Sequence, residues 1–308
     1  MNARVFTGLG ISARGLPCEE EGRHVEAVRK SKTQHVLQCM EIWGGNHAAD
    51  TSVSTPGLDV WVYSCPHEQA DGGGDVHYVS LCGGGIITRF ILADVSGHGA
   101  SVADMARSLR DLMRRNINRK NQASLVMELN RQFTELAKRR CFATALVATY
   151  LTKGDKLTVC NAGHPRPFRY RAATGEWSVL TLPDGKGETL ANLPLGIDDS
   201  IFFAEAEIVL GRGDLVLFYT DALTEATNAD GRLLGESGLL ELVRSLDVTD
   251  PTRVAEALRA GLEAYRDGQA PADDLTFLLL HHNAGGPPRL TLGQTLDVYA
   301  KVLGLKRV

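Results

Sequence analysis

Four acidic positions in this chain share one placement: each stands at the edge of an apolar or glycine-rich run. Asp75 follows the glycines of DGGGD, Asp94 closes FILAD, Asp221 closes VLFYTD, and Asp273 with Asp274 opens DDLTFLLL. Aspartate is poor in strands and common in turns, so any one of them reads most simply as a turn residue. Four such positions on clean apolar runs invite a second reading, in which strand ends converge and several carboxylates share a small volume. Like charges that are partly buried repel and lose hydration, so the arrangement is strongly unfavourable without a counter-charge. Carboxylate, carbonyl and water oxygens suit Mg2+ or Mn2+, and no His/Cys cluster at zinc spacing competes. Two such ions about 3.5–4 Å apart clamp a phosphate and lower the pKa of a bridging water toward ~7, which gives a hydroxide at neutral pH. The chemistry these residues point to is hydrolysis of a phosphate ester.

The elements that must position them are legible in outline. Short β-branched and aromatic segments, LDVWVYSC, VHYVSLC and ITRFILAD, are divided by glycine clusters at Gly72–Gly74 and Gly83–Gly85, which suggests hairpin pairing. Two helices follow. Val102, Met105, Ala106, Leu109, Leu112 and Met113 form the buried stripe of one, with Arg107, Arg110, Arg114 and Arg115 on a solvated face. Val126, Leu129, Phe133 and Leu136 form the stripe of the other. Strands resume in FATALVATYL, KLTVCNAGH, PFRYRA, FFAEAEIVL and DLVLFYT; two more helices near Leu239–Leu246 and Pro251–Tyr265 precede a last strand, LTFLLLHH. Parallel sheets need a helix between successive strands, so this order predicts an antiparallel α+β architecture. Upstream, EEEGRHVEAVRKSKTQHVLQCM predicts a modest amphipathic helix and GGNHAADTSVSTPG a loop. Trp43, Trp61 and Trp177 read as core or half-buried residues, and Asn161 with His164 in NAGHP as fixing a turn.

Composition bounds the rest. The 308 residues can bury a core without a metal or disulfide staple, and a formal charge of −4 with no long basic run argues against nucleic acid or an anionic membrane as partner. No segment is long and apolar enough to span a bilayer, and the N-terminus lacks the apolar core of a signal peptide. The six cysteines are scattered without a C-x-x-C pair, which reads as reduced packing residues in a cytoplasmic protein.

In order along the chain, GGDVHYVS, ADVSGHG, FATA, NAGHP, YTDALTEA and DDLTFLLL resemble the motifs of the metal-dependent PPM (PP2C-type) protein phosphatases. Within them the chain is similar to the bacterial branch typified by sporulation protein E and the RsbU-like stress phosphatases. The resemblance runs from about Leu58 to His282. It implies a four-layer αββα sandwich, two antiparallel sheets flanked by helix pairs, within a phosphatase domain at 46–284. A polar, helical segment at 1–45 would precede it as a regulatory or dimerising arm, and a tail at 285–308 would carry a short helix through Leu296, Tyr299 and Leu303.

The resemblance also implies roles. Asp94 would bridge two Mn2+ or Mg2+ ions and position the nucleophilic water, with the backbone carbonyl of Val95 as a further ligand. Asp75 would complete the shell of one metal, and Asp221 and Asp273 would hold the other. Asp274 is a candidate for an outer role or an additional ion, Glu225 for an outer role or plain surface, and Gly97 and Gly99 let the backbone approach the site. The substrate implied is a phosphoserine or phosphothreonine protein such as an anti-sigma-factor antagonist. The chain departs from the pattern at Val95 and Ala222, where glycine is common, and at Ser96, where eukaryotic relatives carry a histidine. His98 reads as a turn or packing residue, and no counterpart of the eukaryotic phosphate-binding arginine is evident. The alternative is a phosphoprotein-binding module of the same fold with a weak metal site.

Overall fold

The β-branched runs pair into two sheets in a computed structural model that describes residues 34–37, 41–97, 100–117, 119, 121–138, 141–182, 192–286, 291 and 293. One sheet has seven strands in the order β1 (Gln34–Val36), β3 (Ala49–Thr55), β4 (Leu58–Cys65), β13 (Leu275–His282), β12 (Leu215–Tyr219), β9 (Phe168–Arg171) and β10 (Glu176–Val179). The other has six, in the order β11 (Glu205–Val209), β8 (Lys156–Ala162), β7 (Ala143–Leu151), β6 (Ile87–Val95), β5 (Asp75–Cys82) and β2 (Ile42–Gly45). Every neighbouring pair within the sheets is antiparallel except β1 with β3.

Three apolar clusters define the layers. Phe90, Leu92, Val79, Val60, Val62, Phe218, Leu278 and Leu280 meet between the two sheets. Helices α1 (Ala100–Asn116) and α2 (Gln122–Ala137) cover the six-stranded sheet, with Ala106, Leu109, Met113, Leu129 and Phe133 packed on Tyr78, Ile91 and Val147. Helices α3 (Gly235–Ser245) and α4 (Pro251–Arg266) cover the seven-stranded sheet, with Leu239, Val254, Leu258 and Leu262 against Leu217, Phe277 and Leu279. Alternation along each strand sends one set of side chains to the sandwich interior and the other to a helix pair. The αββα order expected from the resemblance is the architecture present. Asn121 and Asp250 cap α2 and α4 by accepting the Ser124 and Thr252 N–H groups.

Three local expectations are corrected. Residues 34–36 do not continue a helix; they form β1, in parallel register with Ser52–Ser54. The GGNHAADTSVSTPG passage is not a loop throughout, because Ala49–Thr55 is a full strand paired with β4. Its polar composition disguised a period of two, in which Val53 and Thr55 are buried while Ser52 and Ser54 are half-buried. In α2 the last apolar position of the stripe is Ala137 rather than Leu136, which is exposed. Within the expected arm at 1–45, residues 34–36 and 42–45 are strands of the two sheets; residues 1–33 and 38–40 and the tail helix lie outside the described residues. No described helix is long and apolar enough to cross a membrane.

Candidate metal centre

The antiparallel order explains how acidic residues far apart in sequence meet. The end of one strand lies beside the start of its neighbour, so β5 begins where β6 ends, and β13 begins where β12 ends. Asp75 and Asp94 are direct register partners across β5 and β6. Both fall on the parity of Val79, Leu81, Phe90 and Leu92, which is the face turned toward the other sheet. From that sheet Thr220, the residue after β12, donates its hydroxyl to Asp75 Oδ2 at 3.0 Å. Thr276 N–H in turn donates to Thr220 Oγ1 at 3.0 Å, and the Thr276 hydroxyl pairs with Ser64 at 2.9 Å. A polar floor therefore closes the sandwich interior at this end, with Asp75 only 3% exposed.

Asp274 has a distinct position. Its carboxylate accepts the His67 N–H at 2.6 Å through Oδ1, and the Gly74 N–H at 2.5 Å and Asp75 N–H at 3.3 Å through Oδ2. It thus ties the start of β13 to the loop that delivers Asp75. Gly73 and Gly74 make that approach possible: a Cβ on Gly73 would sit 2.2 Å from Asp274 Oδ2, and one on Gly74 2.9 Å from the Val95 carbonyl oxygen. Asn46 fixes the loop from the other side, giving its side-chain N–H groups to the carbonyls of Gly73 at 3.0 Å and Ala103 at 3.3 Å. Asp273 lies at the surface, with its own carboxylate accepting the Asp274 N–H at 2.7 Å.

After β12 the chain makes one tight helical turn, Asp221–Leu223, in which the Asp221 carbonyl accepts the N–H groups of Thr224 and Glu225, both at 2.8 Å. That turn folds Glu225 back toward Asp221. Ala222, where relatives often have glycine, needs no unusual backbone here and buries its methyl group among the helix-facing core. Val95 likewise packs its side chain under α1 while leaving its carbonyl beside Gly74. Gly97 has a φ of 112° and leads into α1. Gly99 and His98 lie outside the described residues.

The electrostatics bind the six carboxylates into one set. Burial and then the neighbouring charges of Asp94 and Asp274 hold Asp75 well above the usual carboxylate range. Asp94 is pushed up to about 7 by burial and by Asp221, Asp273, Asp274 and Glu225. Asp221 is raised by burial and Asp273, and Glu225 by burial, Asp221 and Asp273. Each charge contribution named here comes from another member of the same group. Oxygen donors crowded in this way match a hard divalent cation rather than a zinc or copper ion. Among the described residues no three of these side chains stand together in an arrangement that could hold a metal ion without rearrangement.

The structure thus brings together Asp75, Asp94, Asp221, Asp273, Asp274 and Glu225, with the Val95 carbonyl and Gly97 beside them. The sequence did not mark Thr220, Thr276 or Asn46. Thr220 carried a signal in standing directly before Asp221, whereas Asn46 sat in the stretch read as loop. Asn161 and His164 hold their turn by reciprocal bonds, His164 N–H to Asn161 Oδ1 at 2.7 Å and Asn161 Nδ2 to the His164 carbonyl at 2.8 Å. The His164 ring, with its pKa lowered to about 3 by burial, meets Thr144 at 2.8 Å, and Thr144 is the register partner of Asp94.

The family model described as Stage II sporulation protein E (SpoIIE) matches residues 87–283, more than half of the chain. Phosphoserine phosphatase RsbP of Bacillus subtilis (strain 168) is 24% identical over 197 residues, which are 62% of this chain and 44% of RsbP. The chain thus spans less than half the length of that relative. The crystal structure of the RsbU and RsbW domains of Rv1364c from Mycobacterium tuberculosis matches with a TM-score of 0.63 at 25% identity, over 80% of this chain and 71% of that one. The catalytic domain of the serine threonine protein phosphatase PstP, solved in complex with two manganese ions, matches in fold with a TM-score of 0.50 at 14% identity, over 73% of this chain and 97% of that one.

Proposed function

This chain belongs to the SpoIIE family and has the PP2C-type phosphatase fold, and from that premise we propose that it is a metal-dependent protein serine/threonine phosphatase. The observation that carries the reading is the set of six mutually repelling carboxylates gathered at one end of the sandwich. Such a set is relieved either by protons, as the raised pKa values show, or by cations, and at neutral pH divalent cations let the carboxylates stay ionised. In this reading Asp75, Asp94, Asp221, Asp273 and the Val95 carbonyl would hold two Mn2+ or Mg2+ ions; the PstP catalytic domain, which shares the fold, was solved with two manganese ions. When bound, the ions supply activation of a water and neutralise the phosphoryl oxygens.

The chain's own residues do the positioning. Asp94, across from Asp75 in register, orients the attacking water toward phosphorus. Thr220 keeps a lone pair of Asp75 occupied so that its other oxygen faces the centre. Asp274 spends its charge on three backbone N–H groups and so fixes the loop rather than the substrate. The adjoining groove, about 420 Å³ and lined by His67, Gly73, Gly97, Arg107 and Asp273 among others, is open enough to admit a phosphorylated side chain carried on a folded protein. The name of RsbP supports phosphoserine as the group hydrolysed. The family resemblance supports a small phosphorylated signalling domain, such as an anti-sigma-factor antagonist, as a cytoplasmic substrate.

The test is hydrolysis of a generic aryl phosphate by the full chain. Activity should appear with Mn2+, vanish with chelator, and be lost in Asp221→Ala. A folded wild-type protein that stays inactive with Mn2+ and Mg2+ would leave a binding module of the same fold instead.

A further inference from the structure

Helix α1 turns one face to the groove beside the carboxylates. Val102, Ala103 and Arg107 line it, and Ala103 and Arg107, four residues apart, share that face. The face is held in place because Asn46 bonds both the Ala103 carbonyl and the Gly73 carbonyl. We infer that Arg107 is the anion-binding group of the groove, pairing with phosphoryl oxygens of the substrate and holding the ester over the carboxylate cluster. This rests on the phosphatase reading above.

Charge is the first argument. Even with two dications bound, six carboxylates leave the centre formally negative, while a phosphorylated side chain carries about −1.5 to −2 at pH 7. Approach of one to the other requires a cation that is not itself a metal ligand. Among the described residues lining the groove, Glu68, Asp71, Asp273 and Asp274 are acidic, and the His67 ring stands 3.2 Å from the Pro271 carbonyl through Nδ1. Arg107 is the permanently charged cation in that lining.

Availability is the second. The guanidinium is half exposed and pairs through one nitrogen with Asp104, one turn back on α1. An exposed pair of this kind contributes roughly 0–1 kcal/mol, so exchanging it for a phosphoryl dianion costs little. The planar fork can then give two parallel N–H bonds to two phosphoryl oxygens, which an ammonium cannot. The arginines of α1 read in the sequence as one solvated face, and both Arg107 and Arg115 are exposed, but Arg107 lines the groove and Arg115, eight residues on, does not.

The experiment compares wild type, Arg107→Ala, Arg107→Lys and Arg115→Ala, each loaded with Mn2+. Calorimetry measures the Kd for inorganic phosphate, and steady-state assays measure kcat and KM on an aryl phosphate and a phosphoserine peptide. Arg107→Ala should weaken phosphate binding and raise KM roughly tenfold or more, the loss of one charge-assisted contact, with a smaller change in kcat. Arg107→Lys should recover part of the loss, and Arg115→Ala should match wild type. Wild-type hydrolysis with unchanged phosphate affinity in Arg107→Ala overturns this inference alone. A wild type that neither hydrolyses nor binds phosphate overturns the phosphatase reading and this inference with it. Should Arg107→Ala fail to fold, an Arg107→Lys protein with wild-type Kd and KM also overturns the proposal.

Discussion

Asp94 sits where burial and charge oppose ionisation most legibly. Its pKa is raised from 3.8 to about 7, first by burial and then by Asp221, Asp273, Asp274 and Glu225. A carboxyl whose folded pKa exceeds its unfolded value stabilises the fold fully below the unfolded value, and that contribution is lost as pH rises through the folded one. Asp75, Asp221 and Glu225 shift in the same direction. The metal-free protein should therefore lose thermal stability between about pH 4 and pH 8, and Mn2+ should raise the melting midpoint more at pH 8 than at pH 5. Differential scanning calorimetry with and without chelator checks this; a chelated protein equally stable at both values contradicts it. Asp94→Asn should raise the metal-free midpoint most at pH 8 and by less at pH 5, because the penalty it removes begins near the unfolded value of 3.8 and grows until pH passes the folded value of about 7. The same variant should lower kcat roughly a hundredfold or more, since it weakens the joint hold on two cations worth several kcal/mol to the transition state.

Between residues and the molecule stand the loops that deliver the carboxylates, and the loop before β5 is the most constrained. Its Gly73 lies so close to Asp274 that a methyl group would overlap the carboxylate, so the clamp and the glycine require one another. Gly73→Ala should displace Asp274, weaken Mn2+ binding about tenfold or more and lower stability by roughly 1–3 kcal/mol, the cost of leaving charge-bonded groups unsatisfied. Metal titration followed by calorimetry and denaturant unfolding reads the two effects separately. Wild-type metal affinity in that variant would show that the clamp does not serve the centre. Helix α1 belongs to the same scale, because Asn46 binds its Ala103 carbonyl to this loop. The groove wall and the Asp75 loop therefore share a fastening.

At the scale of the whole molecule, the layers divide labour. The centre lies at one end of the interface between the sheets, while α3 and α4 lie on the outer face of the seven-stranded sheet. Leu258 of α4 is buried in that outer layer with Leu239, Val254 and Leu262 and does not line the groove. Leu258→Ala should cost about 2–5 kcal/mol of stability through a cavity in that layer while leaving KM for an aryl phosphate unchanged. Urea unfolding and steady-state kinetics on the same preparation test it. A KM shift comparable to that of Arg107→Ala would mean that the outer helices communicate with the groove.

The amino-acid order alone determined which residues could do chemistry and which elements carry them. Acidic residues at the ends of apolar runs mark the sites because a carboxylate is costly to bury within a strand unless something of opposite charge or a donor meets it. The α1 and most of the α2 stripe were likewise legible, since the 3.6-residue period is a local property. What the linear order could not decide was register and neighbourhood. The pairing of Asp75 with Asp94, the reach of Thr220 across to the opposite sheet and the role of Asp274 as a backbone clamp depend on contacts 19 to 207 positions apart. The polar strand Ala49–Thr55 and the parallel β1 escaped for the same reason, because their burial comes from partners rather than from their own composition. Only tertiary packing turned one α1 arginine toward the groove. A helix's sequence fixes the angle between its side chains, and the fold fixes what each of them faces.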